Sequence, residues 1–228
     1  MDKMPDPRND LQKIPWLAVL DSSGWSELLA ATELRRYSPG EVIFLEGDPP
    51  DAFFLVHTGW VKAVKLSVEG REQILDFVGP GHPINIAPVF AGKPNPATLI
   101  ALEDCALWTM PQAALQGLLD RYPAMAKLVI KALAGRLLYT VALIEDLSLR
   151  SVTARLAKLI LMQANQYQQT VISRHRWATQ AEMAARLGTV PDVINRALRA
   201  LADEGLIHID RRQIVILDKE GLVNIAQF

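Results

Sequence analysis

The sequence predicts an α+β chain in three parts: a small antiparallel β barrel or sandwich, a long helix, and a C-terminal helix-turn-helix followed by a β wing. Three observations predict it. Between Arg36 and Met110 the apolar runs are short and separated by Gly, Pro, Asp and Asn, the spacing of an all-β layer. From Pro123 onward Ile130, Leu133, Leu137, Thr140, Ile144 and Leu147 recur at a 3-4-3-4-3 interval, a helical period. From Thr179 to Ala202 a cap, a glycine and a proline mark out two short helices joined by a tight turn.

Residues 11–34 read as short helices, with Asp21 to Ser23 supplying capping oxygens and Trp25, Leu28 and Leu29 an apolar face. The runs GEVIFLEGD, DAFFLVHTG, WVKAVKLSVEG, REQILDFVGPG, ATLIALE and CALWTM then read as strands. Gly40, Gly47, Gly59, Gly70, Gly79 and Gly81 fall at their turns. The helical period returns after Pro111, and Pro123 opens the long helix. Its repeat forms an a/d seam of nearly three heptads, which fits a coiled-coil axis between two chains or a helix lying on its own barrel. The two-chain axis is the preferred reading, because two-fold pairing doubles the contacts a helix-turn-helix can make. A break at Ser148 to Ser151 separates this helix from VTARLAKLILMQAN. The expected domains are therefore 1–122, 123–149 and 150–228.

In the helix-turn-helix, Thr179 and Glu182 have the spacing of a capping box, in which the threonine oxygen takes the amide of Glu182 and the carboxylate reaches back. Met183, Ala184 and Leu187 face inward, and Gly188 suits the left-handed residue that ends a helix. Pro191 suits the first position of the next helix and biases Val190 towards an extended backbone. Ile194, Leu198 and Leu201 form the buried stripe, which leaves Asp192, Asn195, Arg196 and Arg199 facing outward. Helix starts enter the major groove of DNA. There Arg196 matches the O6 and N7 of guanine, Asp192 can accept from cytosine N4, and Asn195 can pair with adenine. Thr179, Gln180, Arg199, Arg211 and Arg212 are candidates for backbone contacts. GLIHIDRRQIVIL reads as a hairpin around Asp210-Arg211-Arg212, and a short helix from Lys219 closes the chain.

Charge agrees with this division. The chain carries a net −1 over 228 residues. From Arg150 onward there are eleven Lys/Arg against seven Asp/Glu, and before it thirteen against eighteen. The basic end is the helix-turn-helix end, as an electrostatic footprint for nucleic acid would have it. Cys105 is the single cysteine, which argues against a disulfide framework and an iron–sulfur cluster. MDKMPDPRND lacks the apolar core of a signal peptide. Lys127, Lys131 and Arg136 interrupt the longest apolar helix, so no membrane partner is expected and the expected location is cytoplasmic. No G-x-S-x-G, H-E-x-x-H or phosphate-loop pattern is present, so the chain does not read as an enzyme and no metal site is expected.

The order of parts resembles the Crp–Fnr superfamily of bacterial transcription regulators. PGEVIFLEGDPPDAFFLVHTGWVKAVKLSVEGREQILDFVGPG resembles that family's cyclic-nucleotide-binding fold, EDLSLRSVTARLAKLIL its hinge, and TQAEMAARLGTVPDVINRALRALADEGLI its helix-turn-helix. The resemblance implies an N-terminal jelly-roll sensor (a β-roll), a dimerisation helix and a winged helix-turn-helix. It also implies a homodimer on a palindromic DNA operator, with RNA polymerase as a further partner if the protein activates. The family's Glu-x-x-Ser-Arg reading set carries over cleanly at Arg196. Asp192 and Asn195 differ from it, and Pro191 stands where a phosphate-contacting arginine is frequent.

The sensor departs from the cyclic-AMP-binding members. Those use a Gly-Glu-Leu segment for the ribose and an Arg-Ser pair for the cyclic phosphate. Here the segment reads Asn85-Ile86-Ala87 and the pair Pro96-Ala97. A buried phosphate needs a guanidinium and amide donors, so these residues argue against cyclic AMP. Arg136 and Thr140 stand where the resemblance places the helix against the pocket, with a structural salt bridge the preferred role for Arg136. Ile84, Ile86, Ala87, Val89, Phe90 and Leu99 would surround a hydrophobic ligand, a haem, or one another. For a haem the candidate ligands are His57, His82 and Cys105, with His82 preferred, while His175 and His208 belong to the DNA end. The alternatives to an effector-controlled DNA-binding regulator are a regulatory module acting on a protein partner and a haem-based gas sensor.

Overall fold

A computed structural model describes residues 5–70, 72–167, 170–173, 179–210 and 213–227. Helix α1 (Arg8–Leu11) and helix α2 (Ser22–Ala30) precede the strands. Asp21 caps α2 by accepting the Gly24 amide at 2.9 Å, which satisfies one of the orphan donors of the first turn. The strands are β1 (Glu33–Tyr37), β2 (Val42–Phe44), β3 (Ala52–Thr58), β4 (Val61–Leu66), β5 (Glu72–Val78), β6 (Pro83–Ile84), β7 (Thr98–Ala101) and β8 (Cys105–Pro111). They form two antiparallel sheets, ordered β1-β8-β3-β6 and β2-β7-β4-β5. Helix α3 (Ile86–Ala91) interrupts them between β6 and β7, and helix α4 (Gln112–Arg121) follows β8.

The period-2 alternation of β3 and β8 decides the packing. Phe53 and Leu55 of β3 join Trp108 and Met110 of β8 in a cluster with Leu11, Trp16, Leu17 and Leu28. Phe54 and Val56 turn the other way, to Leu99, Cys105 and Leu107 inside the roll. This sheet is therefore covered on both faces. Each large side chain withdrawn from water contributes about 1.5–3 kcal/mol. Trp16 meets Phe53 edge-on with centroids 5.2 Å apart, a favourable aromatic geometry. Gly59, at a φ of +78°, ends the turn after β3. A β-carbon there would lie 2.6 Å from the Asp104 carbonyl, so both its conformation and its close approach require glycine.

Helix α5 (Pro123–Leu149) and helix α6 (Val152–Tyr167) are separated at Arg150 and Ser151, the break read from the sequence. The Ser151 hydroxyl accepts the Ala154 amide at 3.1 Å and starts α6. Asp146 binds Arg150 at 2.9 Å and Lys158 at 2.5 Å, which fixes the end of α5 to α6. Then come β9 (Val171–Ser173), α7 (Gln180–Leu187), α8 (Pro191–Asp203), β10 (Ile207–Ile209), β11 (Gln213–Ile216) and α9 (Lys219–Gln227). The wing is three-stranded, ordered β10-β11-β9; the sequence indicated only its last two strands. Leu156, Ile160, Met183, Ile194, Leu198, Leu201, Ile214 and Leu222 form the core of this part. Chain contacts divide the molecule into two compact units, 1–65 with 75–138, and 66–74 with 139–228. Among the described residues no helix is long and apolar enough to cross a membrane.

Along α5 the seam is exposed in the single chain. Ile130 is 65% exposed, Leu137 64%, Ile144 59% and Leu147 39%. Thr140 is exposed too. Leu133 alone of the six packs against the cluster around Trp16. Leu138 and Val141 widen the exposed apolar face.

Candidate DNA interface and effector pocket

Local chemistry sets the helix-turn-helix. Thr179 has an extended backbone, and its hydroxyl accepts the Glu182 amide at 3.2 Å. Gly188 ends α7 in the left-handed region at a φ of +64°, where its amide reaches the Ala184 carbonyl. Val190 is extended at φ −117°, and Pro191 opens α8, where an amide hydrogen would have no intrahelical acceptor. Met183, Ala184, Leu187, Ile194, Ala197, Leu198 and Leu201 are buried.

The buried stripe orients the rest. Asp192, Arg196 and Arg199 are exposed on α8, and Thr179 is exposed at the start of α7. Asn195 is half-buried, and its Oδ1 accepts from the Nε2 of Gln180 at 3.2 Å. Sequence reading placed these two residues on the same surface but did not foresee this bond between them. Arg211, Arg212 and His175 lie outside the described residues. The Asp210 carboxylate accepts the Gln213 amide at 2.8 Å. His208 is exposed on β10.

In the β-roll the structure divides the apolar set expected around an effector. Ile84 and Leu99 face the roll interior. Val89 lies in the helical cluster, and Ile86 and Phe90 pack against it; Phe90 meets Trp16 edge-on at 6.0 Å. Ala87 is exposed. The cause is Asn85, whose φ of +69° makes it the one left-handed non-glycine among the described residues. Its side chain donates to the Ala52 carbonyl at 3.1 Å, which anchors a strained position. The chain turns there, and α3 packs against the Trp16 cluster. Pro96 is exposed and Ala97 is buried. Arg136 pairs with Asp76 at 2.7 Å, as its salt-bridge reading implied.

The candidate haem ligands differ in their surroundings. His82 is exposed, with Nδ1 3.1 Å from the Pro80 carbonyl. His57 Nδ1 lies 2.5 Å from the Asp10 carboxylate. Cys105 is buried in the roll, and burial, then Glu41, Glu103 and Asp104, push its thiol up to about 11. It is therefore a neutral thiol at ordinary pH. A cleft of about 430 Å³, lined by Thr32, Glu33, Arg35, Asp51 and Thr109, was not foreseen from the sequence.

Comparison with known proteins agrees with both halves. Residues 34–122 match the cyclic nucleotide-binding domain, and residues 154–225 match the Crp-like helix-turn-helix domain. A CRP-like cAMP-activated global transcriptional regulator from Mycobacterium tuberculosis is 26% identical over 191 residues, 82% of this chain and 85% of the relative. The cyclic AMP receptor protein of Thermus thermophilus is 28% identical over 199 residues, 87% of this chain and 90% of the relative. The structure of FixK2 from Bradyrhizobium japonicum superposes with a TM-score of 0.76 at 22% identity, covering 85% of this chain and 96% of that one. A β-roll that matches the cyclic nucleotide-binding domain, ahead of a Crp-like helix-turn-helix and with relatives that are transcriptional regulators, marks a transcription regulator rather than an enzyme. The chain belongs to the Crp–Fnr superfamily of such regulators.

Proposed function

We propose that the protein is a homodimeric, sequence-specific DNA-binding regulator whose β-roll responds to an effector other than cyclic AMP. The observation that carries the DNA reading is the capped helix-turn-helix, with Asp192, Arg196 and Arg199 exposed on one side of α8 and Asn195 between them. An aspartate, an asparagine and an arginine near a helix start supply both acceptors and donors for base edges. The exposed apolar face of α5 supports the dimer. A lone chain has no use for Ile130, Leu137 and Ile144 in water, whereas a parallel partner buries them. In this reading residues 1–122 form the sensor, 123–149 the dimerisation helix and 150–228 the DNA domain. The operator is palindromic, the protein works in the cytoplasm, and RNA polymerase is a partner if it activates.

Two relatives carry cyclic AMP in their names, and a structural neighbour from Xanthomonas campestris is described as c-di-GMP responsive. This chain offers a cyclic phosphate no guanidinium at Pro96 and no hydroxyl at Ala97. Pro96 also lacks an amide donor. Haem finds little support, since the His82 ring is held at a surface turn and Cys105 is a buried neutral thiol.

The experiment is a fluorescence-anisotropy titration of promoter fragments at several salt concentrations, with sedimentation of the free protein. The reading predicts a tight, salt-dependent complex of two chains with one duplex. Equal affinity for promoter and scrambled DNA would reject sequence specificity. Micromolar cyclic AMP binding by calorimetry would reject the claim about the effector.

A further inference from the structure

We infer that Gln180 is a positioning residue that decides which kind of base Asn195 reads. This rests on α8 being the base-reading helix, as proposed above.

Gln180 is the first residue of α7, and Asn195 lies one turn into α8 beside the exposed Arg196. Their side chains meet across the helix-turn-helix, with Gln180 Nε2 donating to Asn195 Oδ1 at 3.2 Å. An asparagine amide has an acceptor at one end and an NH₂ donor at the other, held in one plane. Once the oxygen is turned to Gln180, the NH₂ points away from α7. Asn195 then offers the major groove a donor. The matching partners are acceptors: guanine O6 and N7, thymine O4 and adenine N7. The amino groups of cytosine and adenine are donors and meet a donor. A free asparagine can turn either end to the groove, and pairing its oxygen with one donor removes that freedom.

Glutamine can itself turn over, so its replacement by a one-sided group tests the assignment. Lysine can only donate and glutamate can only accept. Gln180→Lys holds the Asn195 oxygen inward and keeps the NH₂ outward. Gln180→Glu draws the NH₂ inward and turns the oxygen to the groove. Position 180 is half-buried at a helix start, where a glutamate is well tolerated, so both variants are expected to fold. Circular dichroism and gel filtration check this.

The experiment selects binding sites from a randomised duplex pool with the full-length wild-type protein, the two variants, and Asn195→Ala in wild-type and Gln180→Glu backgrounds. Lysine strengthens and glutamate weakens binding to all sequences alike, so the readout is the ratio between bases at each position, not the affinity. Wild type and Gln180→Lys are expected to share a preference at one base pair of each half-site for an edge presenting an acceptor. Gln180→Glu is expected to move that preference by about tenfold towards an edge presenting an amino group, the scale of one good base contact. In the Asn195→Ala background Gln180→Glu is expected to leave base preference unchanged. A Gln180→Glu pool with the wild-type sequence preference would overturn the inference. So would a switch produced by lysine instead of glutamate, or a switch that persists without Asn195. Failure of the wild type to enrich any sequence would instead overturn the DNA-reading role of α8, a separate outcome.

Discussion

The Asp10 carboxylate lies 2.5 Å from Nδ1 of His57, and its same oxygen accepts the indole N–H of Trp108 at 3.0 Å. One residue of α1 thereby holds two neighbouring strands, β3 and β8, of the roll. Burial works against charging Asp10, but hydrogen bonds from Trp108, His57 and Lys13 outweigh it and hold the carboxyl below its ordinary 3.8. A depressed carboxyl stabilises the fold above its unfolded value and loses that contribution as pH falls through the lower folded value. Asp10→Ala is expected to destabilise the protein by about 1–3 kcal/mol at pH 7, because the Trp108 indole loses its acceptor. Urea unfolding followed by tryptophan fluorescence measures this. The gap between wild type and variant should narrow only below pH 3.8; a gap that stayed constant there would remove the ionised carboxylate from the explanation.

Leu137→Glu is expected to convert the proposed dimer to monomer. Leu137 is 64% exposed in the single chain, so glutamate there leaves the monomer folded and acts only when two chains meet. Two carboxylates facing across a two-fold axis would be buried without partners, at a cost of several kcal/mol. Sedimentation at micromolar concentration checks it, with circular dichroism as the folding control. A wild type that sediments as a monomer rejects the seam altogether.

Arg196→Ala is expected to cost about 1–3 kcal/mol on the cognate duplex and to relax preference at one base pair of each half-site. Arg199→Ala should weaken all duplexes alike and shallow the dependence on salt, as a lost phosphate contact does. Titrating both variants against cognate and scrambled duplexes at two salt concentrations separates the roles. Equal loss on both duplexes for Arg196→Ala would reassign it to the backbone.

Cys105 is expected to resist thiol reagents in the folded protein at pH 8 and to react at once in urea. Cys105 is 4% exposed and its thiol is pushed up to about 11, so both access and the thiolate are lacking. Cys105→Ser should cost about 1–3 kcal/mol, since a hydroxyl among Val56, Leu99 and Leu107 lacks the solvation it has in water. Fast labelling without denaturant would reject this account.

The elements most legible in the sequence carry their own instructions. Thr179, Gly188 and Pro191 each fix a backbone state within four residues, and the helix-turn-helix follows. The strands declared themselves as short apolar runs between Gly, Pro, Asp and Asn, and the helix break at Arg150 and Ser151 falls within the Ser148 to Ser151 break expected there. Helix α3 did not. INIAPVFAGK carries Pro88 and no apolar period, and its course depends on the left-handed turn at Asn85. That turn rests on the distant Ala52 carbonyl. The division of Ile84 and Leu99 from Ile86, Val89 and Phe90 has the same tertiary cause. Strand β9 was missed because Val171–Ser173 is too short to show alternation and is defined by pairing with β11. The Gln180–Asn195 bond joins residues fifteen apart, and only the angle of the turn between their helices brings them together.

Strand β8 is buried at every position from Cys105 to Met110, with alternate side chains entering opposite clusters. Neither face has solvent into which a misfit could relax. A change of volume beside Leu107 therefore pushes on the backbone that also carries Trp108, and Trp108 is hydrogen-bonded to Asp10. Crowding inside the roll would shift the indole on the far side of the sheet, and the intrinsic emission of Trp108 would report repacking around Leu107, a residue of the opposite cluster.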